Sequence, residues 1–192
     1  MIDNIIEKNI GFLKKHGVEM PTNDDKDIYR YGLQILYSYI TNISLIFSVS
    51  AILGKLYETA VMVFIFAVFQ VFGGGYHAKT KLKCLSLMIA GSIAGNIMIS
   101  VISNRNLFMA ISALVLSGAI VAIGPVTNVK HPVSKATYNR SKLISRIAVF
   151  LSLTMVALML RFDKNIEAAA IVSTLYLYII SLLTAKLKTN KI

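Results

Sequence analysis

Six apolar stretches, each long enough to cross a lipid bilayer, take up most of this 192-residue chain. They run over about Leu33–Leu53, Tyr57–Gly73, Cys84–Ile102, Leu107–Gly124, Ile144–Leu160 and Ile166–Ala185. A helix rises about 1.5 Å per residue, so roughly 20 apolar residues match the hydrocarbon thickness of a membrane. The chain is 56% hydrophobic and only 15% charged, too little polar surface to clothe a soluble domain of this size. The expected architecture is all-α: a polytopic membrane protein of six transmembrane helices forming one domain over residues 1–192.

The first 31 residues read differently. Ile2, Ile5, Ile6, Ile10 and Leu13 recur at helical spacing, while Asp3, Glu7, Lys8, Lys14 and Lys15 occupy the other sides. That pattern predicts an amphipathic helix lying at the membrane interface, ahead of the six-helix region 33–185. The charges are scattered and no continuous apolar core of the secretory kind is present. Pro21 ends the segment, and Thr22 or Asn23 is placed to cap the next helix.

Lysine and arginine set the expected orientation. Of the 20 such residues, only Lys55, Arg105, Arg161 and Lys164 fall in the first, third and fifth loops. The rest collect in the termini and in the second and fourth loops. Basic residues mark cytoplasmic loops, so both termini are predicted inside. The net charge of +11 is thereby assigned to topology and to contact with anionic lipid rather than to nucleic acid, for which no basic module with interleaved aromatics is present.

The second loop, "GGGYHAKTKLKC" over residues 73–84, holds the only cysteine and one of three histidines. A single cysteine allows no intrachain disulfide, so the thiol is either incidental or reactive. A nucleophilic cysteine needs a partner that moves its proton, and His77 lies across a short loop from Cys84. Were residues 77–84 continuous helix, the spacing of seven would still place both on one face. Cys84 stands where the third span begins, and the unpaired N–H groups of a helix start favour negative charge. Lys79, Lys81 and Lys83 add positive potential. Gly73, Gly74 and Gly75 stop the second span and let backbone approach a substrate, with Gly74 and Gly75 as possible N–H donors to an oxyanion. Read blandly, the same residues are a small apolar cysteine, a solvated histidine, a helix terminator and positive-inside lysines.

Elsewhere the pattern is mostly structural. "GSIAG" at Gly91–Gly95 and the pair Gly118 and Ala122 are small-residue spacings suited to helix packing, and Asn96 suits an interhelical hydrogen bond. No charged side chain lies mid-span, which argues against a proton-coupled transporter. The basic stretch "GPVTNVKHPVSKATYNRSKLISR", residues 124–146, reads as a loop on anionic lipid or as a docking surface for an acidic peptide, with Pro125, Lys130 and Lys135 as candidate contacts beside Lys79. A zinc site joining His77, Cys84 and His131 lacks any tight paired motif, so no metal or cofactor is expected.

The run "GGYHAKTKLKC" resembles the signature of the accessory gene regulator protein B (AgrB) family, membrane endopeptidases of peptide quorum sensing. The chain's size, amphipathic start, "YGLQIL" lead-in to the first span and "GPVTNVKHP" loop occur in the matching order. The resemblance implies a cysteine endopeptidase that removes the C-terminal tail of a small AgrD-like precursor with an amphipathic leader and an acidic tail. Cys84 would form an acyl-enzyme thioester, His77 would carry the proton, and the bound peptide would close to a thiolactone or lactone. A homodimer is also implied. The family often has arginine just before the glycines, whereas this chain has Phe69, Gln70 and Val71, so that arginine's role does not carry over. Gln70 or Gln34 is placed to orient His77 instead. The competing expectation is a non-enzymatic exporter or assembly factor for such a peptide, which would need a polar pathway through the spans.

Overall fold

The computed structural model describes residues 2–18, 22–76, 78, 80–126 and 134–189. Among them the chain forms seven α-helices and no strand: α1 (Ile2–Lys15), α2 (Asn23–Ile52), α3 (Leu56–Gly73), α4 (Lys81–Ile102), α5 (Asn106–Ile123), α6 (Lys135–Arg161) and α7 (Asn165–Thr189). The last six are long and apolar enough to cross a membrane. The chain divides into two compact units, residues 1–46 and 47–192.

In the first unit, α1 is the expected amphipathic helix. Ile6 and Ile10, one turn apart, are buried, while Ile5 and Phe12 stay exposed. Asn9 Nδ2 donates to the Tyr37 hydroxyl at 2.8 Å, and Glu7 pairs with Arg30 and Lys26 of α2. Thr22 caps α2: its hydroxyl oxygen accepts the Asp25 N–H at 3.1 Å, and Asp25 Oδ2 accepts the Thr22 N–H at 3.1 Å. This is a reciprocal capping box with aspartate in the usual glutamate position.

The second unit is a bundle with α7 at its centre, packed against α3, α4, α5 and α6. Ala168, Ala169, Val172, Leu175, Tyr178 and Leu182 on α7 are fully buried. Large apolar side chains point outward instead, with Phe64 71%, Leu114 64% and Phe150 68% exposed. Small polar side chains turn inward: Thr59, Ser92, Asn96, Ser112, Ser117, Ser145, Ser152, Ser173 and Thr174 are buried. That inversion suits a lipid solvent, where apolar surface faces the acyl chains and hydroxyls find partners between helices. Asn96 Nδ2, for example, donates to Thr59 Oγ1 across α4 and α3 at 2.9 Å. Glu58, in the first turn of α3, is neutralised by Lys55 at 2.9 Å.

Two expectations are corrected. One helix outruns its apolar core: α6 begins at Lys135, nine residues before Ile144 and inside the stretch read as loop, whereas α2 begins at Asn23, where the Thr22 or Asn23 cap is expected. Lys135, Arg140, Lys142 and Arg146 therefore lie on helix rather than loop. Ser134 starts α6 by accepting the Thr137 N–H at 3.2 Å, and hydropathy cannot register a polar helical turn of this kind. The small-residue spacings are also not equivalent. A Cβ at Gly95 would meet Met62 Sδ at 2.7 Å and Leu177 Cδ1 at 3.2 Å, but Gly91 and Gly118 face open space.

Candidate functional site

The glycine triplet closes α3 against three other segments of the same unit. At Gly73 the Tyr178 hydroxyl of α7 lies against the α-carbon, where a Cβ would overlap it and approach Ser145 Oγ of α6 at 3.1 Å. The chain leaving α5 arrives at the same place: the Val126 N–H donates to the Gly73 carbonyl at 3.1 Å. Gly74 has φ +74°, and a Cβ there would overlap the Val126 carbonyl oxygen. Both the dihedral and the contact demand glycine. The close approach these glycines permit is thus to the protein's own backbone, at the segment carrying Pro125.

Beyond the glycines the chain is held from two helices. The Tyr76 N–H donates to Ser181 Oγ of α7 at 3.0 Å, and Gln70 Nε2 of α3 reaches the Tyr76 carbonyl at 3.5 Å. A Cβ on Gly75 would stand 2.5 Å from Gln70 Oε1 and 2.8 Å from Ser181 Oγ. Tyr178, three residues before Ser181 on α7, stacks on Phe69 with ring centroids 4.8 Å apart.

Thr80 then starts α4. Its hydroxyl accepts the Lys83 N–H at 3.3 Å, and its carbonyl accepts the Cys84 N–H at 3.0 Å. Cys84 is a free, half-buried thiol, one turn into a helix whose dipole points its positive end at the loop. Because α4 begins at Lys81 and neither Ala78 nor Thr80 is helical, residues 77–84 are not one continuous helix.

The structure brings Gln70, Gly74, Gly75 and the Pro125 segment together around residues 73–76, on the chain that continues through His77 to Cys84. His77, Lys79, Lys130 and His131 lie outside the described residues. Lys135 is exposed at the start of α6, ten residues, or about 15 Å of helix, before Ser145. Gln34 belongs to the first unit, where it lines an open cleft with Asn4, Ile6, Glu7 and Arg30. In that unit the Arg30 guanidinium, and secondly the Lys26 ammonium, hold the Glu7 carboxyl below its ordinary value.

Sequence reasoning passed over Tyr178, Ser181 and Ser145. A signal for the first two was present: in "STLYLYIIS" Thr174, Tyr178 and Ser181 recur at i, i+4 and i+7, a polar line on one face of an otherwise apolar span.

Comparison with known proteins agrees with the loop motif. The family model for Accessory gene regulator B matches residues 6–184. A putative AgrB-like protein of Clostridium acetobutylicum is 23% identical over 171 residues, spanning 89% of this chain and 78% of the relative. No solved structure matches.

Proposed function

The chain belongs to the accessory gene regulator B family, associated with processing of autoinducer peptides in quorum sensing, and on that premise we propose that it is a membrane-embedded cysteine endopeptidase. The observation that supports this most is the placement of Cys84. It is a half-buried thiol one turn inside α4, joined through a short loop to a segment pinned by α3, α7 and the end of α5. A nucleophile one turn into a helix, on the same short stretch of chain as a histidine, suits acyl transfer.

In this reading Cys84 Sγ attacks the carbonyl carbon of the peptide bond preceding the precursor's tail, and His77 takes the thiol proton. The tetrahedral intermediate collapses to a thioester as the C–N bond breaks, and His77 returns the proton to the departing amine. A thiol or hydroxyl of the bound peptide then attacks the thioester. The ring closes as a thiolactone or lactone while His77 takes the proton of the attacking group, and Cys84 leaves as thiolate and regains that proton from His77. Gly74 and Gly75 are proposed as backbone support for the oxyanion, and Gln70 as an orienting group for His77. Lys79, Lys130 and Lys135 would attract an acidic tail from the cytoplasmic face. An AgrD-like precursor, anionic lipid and a second copy of this chain are the proposed partners.

The test uses purified protein in liposomes with the small peptide encoded beside its gene. Mass spectrometry follows peptide and enzyme for wild type and Cys84→Ala. A released tail and a peptide adduct on Cys84, both absent in the variant, are the expected result. Cleavage that persists without the thiol would overturn the proposal.

A further inference from the structure

We infer that Ser181, on the central helix α7, is a positioning residue for His77, fixing the Gly74–Tyr76 segment that carries the histidine; this rests on the peptidase reading above. Neither hydropathy nor the loop motif singles this residue out. The argument starts from the backbone groups of Tyr76, the residue bonded directly to His77. Its N–H donates to Ser181 Oγ at 3.0 Å, across 105 residues of sequence. Its carbonyl, part of the peptide unit whose nitrogen is that of His77, faces Gln70 Nε2 at 3.5 Å. One side chain from α7 and one from α3 therefore hold the two sides of a single residue.

The fit between these parts leaves little slack. A Cβ on Gly75 would stand 2.5 Å from Gln70 Oε1 and 2.8 Å from Ser181 Oγ, so both side chains close on the same α-carbon. Upstream, the Gly73 carbonyl is held by the Val126 N–H at 3.1 Å. The support beneath is stiff, because Tyr178 and Leu182, flanking Ser181 on α7, are fully buried and Tyr178 stacks on Phe69. Outside a helix this N–H has no i−4 carbonyl to bond, and a part-buried N–H that loses its acceptor is unfavourable. Without the Ser181 hydroxyl the segment loses this anchor to α7 and is free to shift. A displacement of about 1 Å in a catalytic group lowers rates on the order of 100-fold.

The test needs no precursor, since Cys84 is the only cysteine. Full-length protein in liposomes is treated with iodoacetamide, and alkylation of Cys84 is followed by mass spectrometry at pH 7 and pH 10. The ratio of the two rates cancels differences in access, because a thiol is largely ionised at the higher pH in every variant. His77→Ala is expected to lower the wild-type ratio about tenfold, an ordinary thiol being only a few per cent thiolate at neutral pH. Ser181→Ala is expected to fall to the His77→Ala level, and Ser181→Thr, which keeps the hydroxyl, to stay within about twofold of wild type. Gly75→Ala, which drives a Cβ into Ser181 and Gln70, should reproduce the loss in a second, independent variant. Circular dichroism and elution volume confirm that each variant is folded.

If His77→Ala matches wild type, the dyad itself fails and takes this inference with it. If His77→Ala lowers the ratio while folded Ser181→Ala and Gly75→Ala do not, the dyad stands and the role of Ser181 is overturned. Loss in Ser181→Ala that Ser181→Thr does not rescue would also overturn it, marking the serine as packing rather than positioning.

Discussion

The Tyr178 hydroxyl rests against the α-carbon of Gly73, occupying the place a Cβ would take. The same hydroxyl is buried and has no hydrogen-bond partner among the described residues. Gly73→Ala should therefore destabilise the protein by about 1–3 kcal/mol through overpacking. Tyr178→Phe alone should be near neutral, because it removes a polar atom that gains nothing from burial. The double variant should recover part of the loss, as coupled neighbours do. Thermal unfolding in detergent across this cycle checks the contact, and strictly additive effects would contradict it.

His77→Ala is expected to slow single-turnover cleavage of the precursor by about 10²- to 10⁴-fold, the usual contribution of a positioned acid–base group. Peptide binding should change little, since the imidazole acts on the proton rather than on the ground-state complex. Quenched-flow mass spectrometry with a separate binding measurement tests both halves. Weakened binding with an unchanged rate at saturation would place His77 in recognition instead.

Gly91 and Gly95 lie one helical turn apart on α4 but should respond oppositely to alanine. At Gly95 the new Cβ meets Met62 Sδ at 2.7 Å and Cε at 2.9 Å. A flexible thioether can give way, so a loss of about 1 kcal/mol is expected. At Gly91 there is open space, and alanine should be neutral or stabilise by roughly 0.5–1 kcal/mol through helix propensity. Should Gly91→Ala prove as harmful as Gly95→Ala, the Gly91 face would be covered in the membrane, and crosslinking between copies would show by what.

The ion pairs of Glu7 make the first unit sensitive to acid. Arg30 and Lys26 lower the Glu7 carboxyl pKa below its ordinary value. The group thus binds fewer protons folded than unfolded, and its stabilising contribution is complete above the unfolded value of about 4.3. That contribution is lost as pH falls through the depressed folded value. Hydrogen exchange of α1 amides should accelerate below about pH 4 relative to neutral pH once the intrinsic pH dependence is removed. Glu7→Gln should flatten that response. An identical acid response in Glu7→Gln would show that the pairs with Arg30 and Lys26 do not hold the helix.

Much of this protein was legible in its sequence, because the physics involved is local. Membrane spans depend on the apolarity of about 20 consecutive residues, and all six stretches from Leu33–Leu53 to Ile166–Ala185 coincide with helices long and apolar enough to cross. The amphipathic spacing of Ile6 and Ile10 likewise announced α1, and Gly73 marked the end of α3. The motif from Gly74 to Cys84 identified the family because it is contiguous. Tertiary structure alone decided what the glycines face and which small residues pack. Val126, Tyr178 and Ser181 lie 50 or more residues from the triplet they contact, and hydropathy carries no record of such pairings. A hydroxyl on an apolar helix has the same local signature whether it bonds its own backbone or, as Ser181 does, holds a segment distant in sequence. Only packing α7 into the middle of the bundle, which brings Ser181 to the Tyr76 N–H, separates the two.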